Sequence, residues 1–269
     1  MTQNRYLMES DEESVRLDMK TDPVVVEKQA LWAGIKPGMR VADLGCGSGK
    51  TTFYLNKLVG PDGSTVGVDM SPQRHQFAEK NYRHDGIEYI CTDIRKPLDD
   101  LGMFDFIWVR FVLEYYRLES LDIVKNISKI LKPGGILCLI DLDCNCLRHF
   151  GHSDRLKKYL NLIMNILEND FNFDPYVGIK LYSYLYDLGY QDIDVNVTPH
   201  NLIYGELKDV DNFNFTKKVE MAGRHSGIQF EDYEDGFDGF FKEFLDFFSD
   251  FRRFTYTPLI ACSGRKPML

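Results

Sequence analysis

The chain has 269 residues and a net charge of −9, from 32 Lys and Arg against 41 Asp and Glu. That length suits one α/β domain with or without a cap, and an acidic balance with no basic stripe argues against a nucleic-acid partner. No run of about eighteen apolar residues occurs, the polar start is unlike a signal peptide, and six cysteines lack framework spacing, so the expectation is a cytoplasmic protein with no membrane span. Residues 10–33 read as two helices, the first capped by Ser10 with Glu13, the second opened by Pro23 and stopped by Gly34 and Pro37-Gly38. A buried strand, Val41–Leu44, empties into a glycine-rich turn, and a helix over Thr51–Leu58 ends at Gly60-Pro61-Asp62-Gly63. Strands over Thr65–Val68, Ile87–Cys91 and Phe104–Val109 alternate with helices over Pro72–Arg83 and Glu119–Leu131. Lys132-Pro133-Gly134-Gly135 reads as a tight turn into a fifth strand, Ile136–Ile140. This alternation predicts right-handed crossovers and an α/β, doubly wound parallel sheet.

The turn after the first strand, Asp43-Leu44-Gly45-Cys46-Gly47-Ser48-Gly49, carries the most chemistry. Its glycines let backbone approach a ligand closely, and the helix that follows starts with unpaired N–H groups. A second strand ends in Asp69, about twenty residues on, where a carboxylate can accept ribose hydroxyls. A dinucleotide fingerprint would need glycine where Lys50 stands, and a P-loop would need glycine where Leu44 stands. A nucleophile elbow fails as well, because Cys46 and Lys50 flank Ser48. A zwitterionic amino-acid tail, unlike a pyrophosphate, suits a loop offering both backbone donors and an acidic side chain. Ligands of such sheets bind beyond the carboxyl ends of the strands, which gathers Asp43, Asp69, Asp93, Arg110 and Asp141 on one rim.

The pattern Asp43-x-Gly45-x-Gly47-x-Gly49 resembles motif I of the class I S-adenosylmethionine-dependent methyltransferases. Val66-Gly67-Val68-Asp69-Met70-Ser71 resembles that family's acidic strand-end motif, Cys91-Thr92-Asp93-Ile94 its adenine-contacting motif, and Leu131–Gly135 the turn before its fifth strand. Tyr6-Leu7-Met8, Arg16-Leu17, Asp174-Pro175 with Gly178, and Leu188-Gly189-Tyr190 are similar to the small-molecule, ubiquinone- and menaquinone-biosynthesis-like group. The resemblance implies a Rossmann-like seven-stranded sheet of order 3-2-1-4-5-7-6, strand 7 antiparallel, with strand 6 near Asp192–Val197 and strand 7 near Thr255–Ser263. It also implies S-adenosylmethionine as cofactor, held by Asp43, Gly45, Cys46, Gly47, Gly49, Asp69, Met70, Asp93, Ile94 and Arg110. Asp93 would accept from the adenine amino group with Ile94 on the ring face, or else serve as a turn former. Arg110 would lie near cofactor or substrate, or else be an ion-pair partner.

One methyltransferase domain is expected over residues 1–269: a helical lid (1–33), a cofactor-binding core (34–144), a substrate-side cap including strand 6 (145–253), and a final strand and tail (254–269). The cap contains helical stretches over Ser153–Asn169 and Val177–Leu188, then a phenylalanine stripe at positions 237, 240, 241, 244, 247, 248 and 251. Packing against the sheet and walling an apolar substrate cavity are both open to that stripe. Tyr6, Arg16, Glu114 and His149 are substrate-side candidates, with Glu114, His149 and His152 the groups from which a base could come, though none is assigned. Cys144, Cys146, His149 and His152 are zinc-type side chains crowded into one short stretch, a loop rather than paired ligand knuckles, so no metal is expected. The lysine pairs 157–158 and 217–218 read as solvated helix faces. The expected activity is methyl transfer to a small, partly apolar molecule. Alternatives are a non-catalytic cofactor-binding regulator or assembly protein, an aminopropyl transferase and a nucleotide oxidoreductase.

Overall fold

The computed structural model describes residues 13–145 and 147–268. Four strands, β1 (Arg40–Leu44), β2 (Ser64–Asp69), β4 (Phe104–Arg110) and β5 (Leu131–Leu142), are apolar runs buried on both faces, as the interior of a parallel sheet requires. At the edge, β3 (Ile87–Cys91) is only half covered. A two-residue strand β6 (His149–Phe150) and the long strands β7 (Gln191–Tyr204) and β8 (Phe254–Arg265) complete the sheet. β8 runs antiparallel between β5 and β7, so the order is β3-β2-β1-β4-β5-β8-β7, with β6 against the start of β8. Strands 6 and 7 of the expected topology are therefore β7 and β8.

Helices α1 (Glu13–Lys20), α2 (Pro23–Ala33), α3 (Lys50–Val59), α4 (Pro72–Tyr82), α5 (Ser120–Lys129), α6 (Asp154–Asp170), α7 (Leu181–Asp187), α8 (Asp209–His225) and α9 (Phe237–Ser249) follow. Several start where side chains satisfy orphan N–H groups. Asp22 accepts from Val24 N at 2.9 Å with Pro23 at the first position, and Ser153 accepts from Leu156 N at 3.0 Å. Period-two alternation then splits the sheet side chains between two cores. Ala42, Leu44, Val66, Val68, Ile107 and Val109 pack against α5 and α7. Val41, Phe106, Trp108, Cys138 and Ile140 pack against α2 and α3.

Three local expectations need correction. The Lys132–Gly135 segment is no turn before β5 but an irregularity within it: Leu131 pairs with Phe104, then the register jumps to Ile136 opposite Phe106. β7 runs seven residues past Val197, because pairing with β8 continues to Tyr204. The phenylalanine stripe packs mainly on neighbouring helices and meets the sheet only at its far edge, through Ile203 of β7 and His149 of β6. Phe240, Phe244 and Phe248 join Leu156, Tyr159 and Ile163 of α6 and Phe215 of α8 in a third core, internal to the cap, while Phe251 lies past the helix and is exposed. α8 has no counterpart among the predicted helices. Among the described residues, no helix is long and apolar enough to cross a membrane.

Candidate functional site

A cavity of about 420 Å³ opens at the carboxyl ends of β1, β2 and β4, the point where strand order reverses. Its walls include Asp43, Gly45, Cys46, Gly47, Asp69, Met70, Ile94 and Arg110. The glycine loop is wound tightly by its own backbone. Gly45 N and Cys46 N both donate to Val68 O (2.7 and 2.9 Å), Gly47 N to Asp69 Oδ2 (3.0 Å) and Gly49 N to Cys46 O (3.0 Å). Four of the five N–H groups from Gly45 to Gly49 are thus spent inside the protein, which leaves little for a pyrophosphate. At Gly45, with φ +83°, a Cβ would stand 2.3 Å from Val112 Cγ2, so only glycine fits.

Gly49 does not line the cavity. It caps α3 at φ +85°, where a Cβ would meet Ala78 Cβ at 2.6 Å and the Tyr89 hydroxyl at 2.8 Å, so it serves the close packing of α3, α4 and β3. Asp93 lies outside the cavity wall as well. Its carboxylate is gripped by Arg95 through Nε and Nη2 (3.0 and 2.7 Å) and by Arg95 N (2.9 Å), and it is Arg95 that reaches the cavity. Asp141, the last acidic strand end, accepts from Glu114 N and Leu142 N (3.2 and 2.9 Å) beneath the turn after β4. Burial, reinforced by the nearby Glu114 carboxylate, pushes the Asp141 carboxyl well above the usual range.

The two remaining aspartates differ in setting. Asp69 accepts from Gly47 N, Ser71 N (2.9 Å) and Arg74 Nε (2.9 Å), an ion-paired acceptor at the lip of the cavity. Asp43 is buried below it, accepting from Thr52 Oγ1 at 2.7 Å. Burial pushes its carboxyl up to about 7, with the Thr52 bond and Arg110 pulling the other way. Arg110 stacks its guanidinium 4.2 Å from the Phe111 ring centroid, and its buried Nε has no hydrogen-bond partner. Burial lowers it to about 10, against the attraction of Asp43, Asp141 and Asp22. An orphaned buried donor of this kind calls for a ligand acceptor. Met70 and Ile94 supply apolar surface near the Asp69 lip, Met70 also taking the Tyr116 hydroxyl on its sulfur at 3.4 Å. Leu17 from α1 and Thr21 just past its end close the near side, and Lys50 Nζ donates to Asp18 O at 2.8 Å across the loop.

Tyr115 and Phe173 are shared with a second cavity of about 120 Å³ beneath the cap. Leu160, Ile163, Met164, Leu167, Val219 and Ala222 make its apolar wall, and Arg16, Lys20, Glu114, Asn145 and Lys218 its polar one. Of the substrate-side candidates, Arg16 and Glu114 are brought together here, with Asn145 Nδ2 donating to Glu114 Oε2 at 2.8 Å. His149 is not among them. It sits in β6, its Nδ1 2.8 Å from Thr255 Oγ1 and its ring against Phe247, because the β6–β8 pairing turns it toward the cap core. Tyr6 lies outside the described residues, as do Ser10 and Cys146. Sequence reasoning missed Lys20, Tyr115, Phe173, Lys218 and His200. Lys218 corrects the reading of the 217–218 pair as a solvated face, since its neighbours across the cavity come from α1 and the β4 exit. His200, on β7, packs 4.9 Å from Phe111, and burial, with Lys20, Arg110 and Lys218 nearby, keeps its imidazole well below its ordinary value.

Residues 42–139 match the family described as "Methyltransferase domain". Over 136 residues, 47% of this chain, the sequence is 28% identical to a demethylmenaquinone methyltransferase of Staphylococcus aureus, covering 56% of that enzyme. The chain therefore spans about half the length of the curated relatives it matches. In fold it is similar to a Bacillus halodurans C-125 protein assigned as a methyltransferase (TM-score 0.57, 16% identity, 90% of this chain and 98% of that one). It is similar also to a Haemonchus contortus phosphoethanolamine N-methyltransferase in complex with S-adenosylhomocysteine (TM-score 0.58, 14% identity, 99% of this chain and 61% of that one).

Proposed function

We propose that the chain, whose residues 42–139 match a methyltransferase domain, is a class I S-adenosylmethionine-dependent methyltransferase that methylates a small, partly apolar molecule. The observation that carries this reading is the pair of adjoining cavities. One has an acidic lip, a glycine loop closed to phosphate and an orphaned arginine donor, and the other has apolar walls. The residues of the first fit the donor. Asp69 would take ribose hydroxyls, sharing its carboxylate with Arg74. Met70 and Ile94 would flank the base, and Arg110 with Asp43 would face the amino-acid tail.

When bound, S-adenosylmethionine supplies an electrophilic methyl group, whose bond to sulfur breaks as the acceptor's lone pair bonds to carbon, leaving S-adenosylhomocysteine. The chain's own contribution is alignment and exclusion of water. Tyr115, Tyr116, Phe171 and Phe173 line the side of the first cavity and keep water from the junction. Glu114, held by Asn145 at the junction with the second cavity, is the acidic group nearest the acceptor's path. Residues 145–253 would form the acceptor-side cap. We also propose a cytoplasmic setting without a nucleic-acid partner, supported by the unpaired state of the five described cysteines and the net charge of −9.

Calorimetry with S-adenosylmethionine, S-adenosylhomocysteine and NAD tests the donor half, with affinity on the order of micromolar expected for the first two and none for NAD. Incubation with labelled donor and a cell extract, followed by identification of the labelled product, tests turnover. Donor binding with no label transferred to any component would leave a non-catalytic binder as the better description.

A further inference from the structure

The second cavity has a feature that an apolar acceptor alone does not explain. Three cationic side chains reach its wall from distant parts of the chain: Arg16 and Lys20 from α1 and Lys218 from α8. Among the described residues, the Lys20 ammonium has no hydrogen-bond or ion-pair partner. It stands over the Phe111 ring, 5.3 Å from the centroid. The carboxylate in the wall, Glu114, is already engaged by Asn145 Nδ2. Opposite stand Leu160, Ile163 and Met164, which can bury an apolar body but offer a charge nothing. A cavity with cations on one side and hydrocarbon on the other matches a ligand of the same polarity.

We infer that the acceptor carries an acidic group, a carboxylate or phosphate, on an apolar body. The acid would seat among Arg16, Lys20 and Lys218, and the nucleophilic atom would point past Tyr115 and Phe173 toward the larger cavity. This rests on the methyl-transfer reading above and names its substrate class. The electrostatics of the cavity agree. Burial, with Lys218, Arg16 and Arg110 nearby, lowers the Lys20 ammonium to about 7 against the opposing pull of Glu114, and the His200 imidazole is held well below its ordinary value. An entering anion would reverse that pressure, so its binding would take up a proton near neutral pH.

The test is calorimetry with octanoate and octyl phosphate against 1-octanol and octylammonium, each measured with and without saturating S-adenosylhomocysteine. At least one of the two acids is expected to bind about tenfold more tightly than the alcohol, equivalent to about 1.4 kcal/mol, with octylammonium weakest. Above pH 7 the acid's binding enthalpy is expected to vary with the ionisation enthalpy of the buffer, and Lys20→Met to remove that variation. Lys218→Met should shrink the acid-over-alcohol ratio at least threefold while S-adenosylhomocysteine affinity stays within twofold. If alcohol and acids bind equally, or the ammonium binds best, the inference is overturned even though the donor binds. If the acids are preferred and S-adenosylhomocysteine does not bind, the donor reading falls and the anion pocket stands.

Discussion

The two cavities are built by opposite means. Around the acidic and glycine-loop side of the first, the wall residues are fixed by their immediate neighbours in sequence: a strand end, a positive-φ glycine, a helix start. Asp69 bonds to Gly47 N, Ser71 N and Arg74, groups from two short stretches of chain. Around the second, α1 and the β4 exit contribute two side chains each, α8 three and α6 four, and their arrangement depends on the aromatic core of α6, α8 and α9 behind them. A site made from backbone turns is stiff and readable. One assembled from helix faces can be re-lined by single substitutions while the sheet stays as it is, which suits a fold that keeps its donor and varies its acceptor.

Breaking the cap core puts that contrast under the greatest load. Phe244→Ala, which empties a fully buried ring position, should cost about 3–5 kcal/mol of stability in chemical denaturation while S-adenosylhomocysteine affinity of the folded protein stays within about twofold. A large loss of affinity would mean that the two halves are one energetic unit. Asp69→Ala should weaken S-adenosylhomocysteine binding by more than about tenfold with little change in melting temperature, since ribose hydroxyls would lose a carboxyl acceptor. Unchanged affinity removes Asp69 from the site.

Acidity sharpens the picture on a smaller scale. Asp43 titrates at about 7 in the free protein, and a ligand ammonium beside it would hold it ionised. Donor affinity should therefore fall as pH drops below 7, by at most about tenfold per pH unit, with Asp43→Asn giving a flat profile over the same range. The same shift has a consequence for the free protein. A carboxyl raised above its unfolded value favours the fold at low pH and loses that contribution as pH climbs toward 7, so Asp43→Asn should gain stability relative to the native chain across that interval. The smallest effect is expected at Asp93. Because Arg95 already satisfies its carboxylate, Asp93→Ala should change donor affinity by less than about threefold, and a tenfold loss would return Asp93 to the cofactor wall.

Sequence alone carried the strand–helix alternation, the glycine turn and the paired acidic strand ends, because short-range rules govern each of them: periodicity, crossover handedness and the need for glycine at positive φ; the strand order came only with the family resemblance. The resemblance put Gly49 on the cofactor and left Asp93 there or in a turn; Gly49 packs α3 against α4, and Asp93 pairs with Arg95. A loop's spacing says which residues are near a ligand, not which way each one faces. Sequence alone also read Lys218 as solvated and left the phenylalanine stripe open between the sheet and a substrate cavity, since helical periodicity reports that a face is apolar without saying what covers it. Tertiary packing decided those questions. Only when α1, α6 and α8 close over the β4 exit do Arg16, Lys20, Glu114 and Lys218 share one cavity, and charges so far apart in the chain feel one another only through that closure.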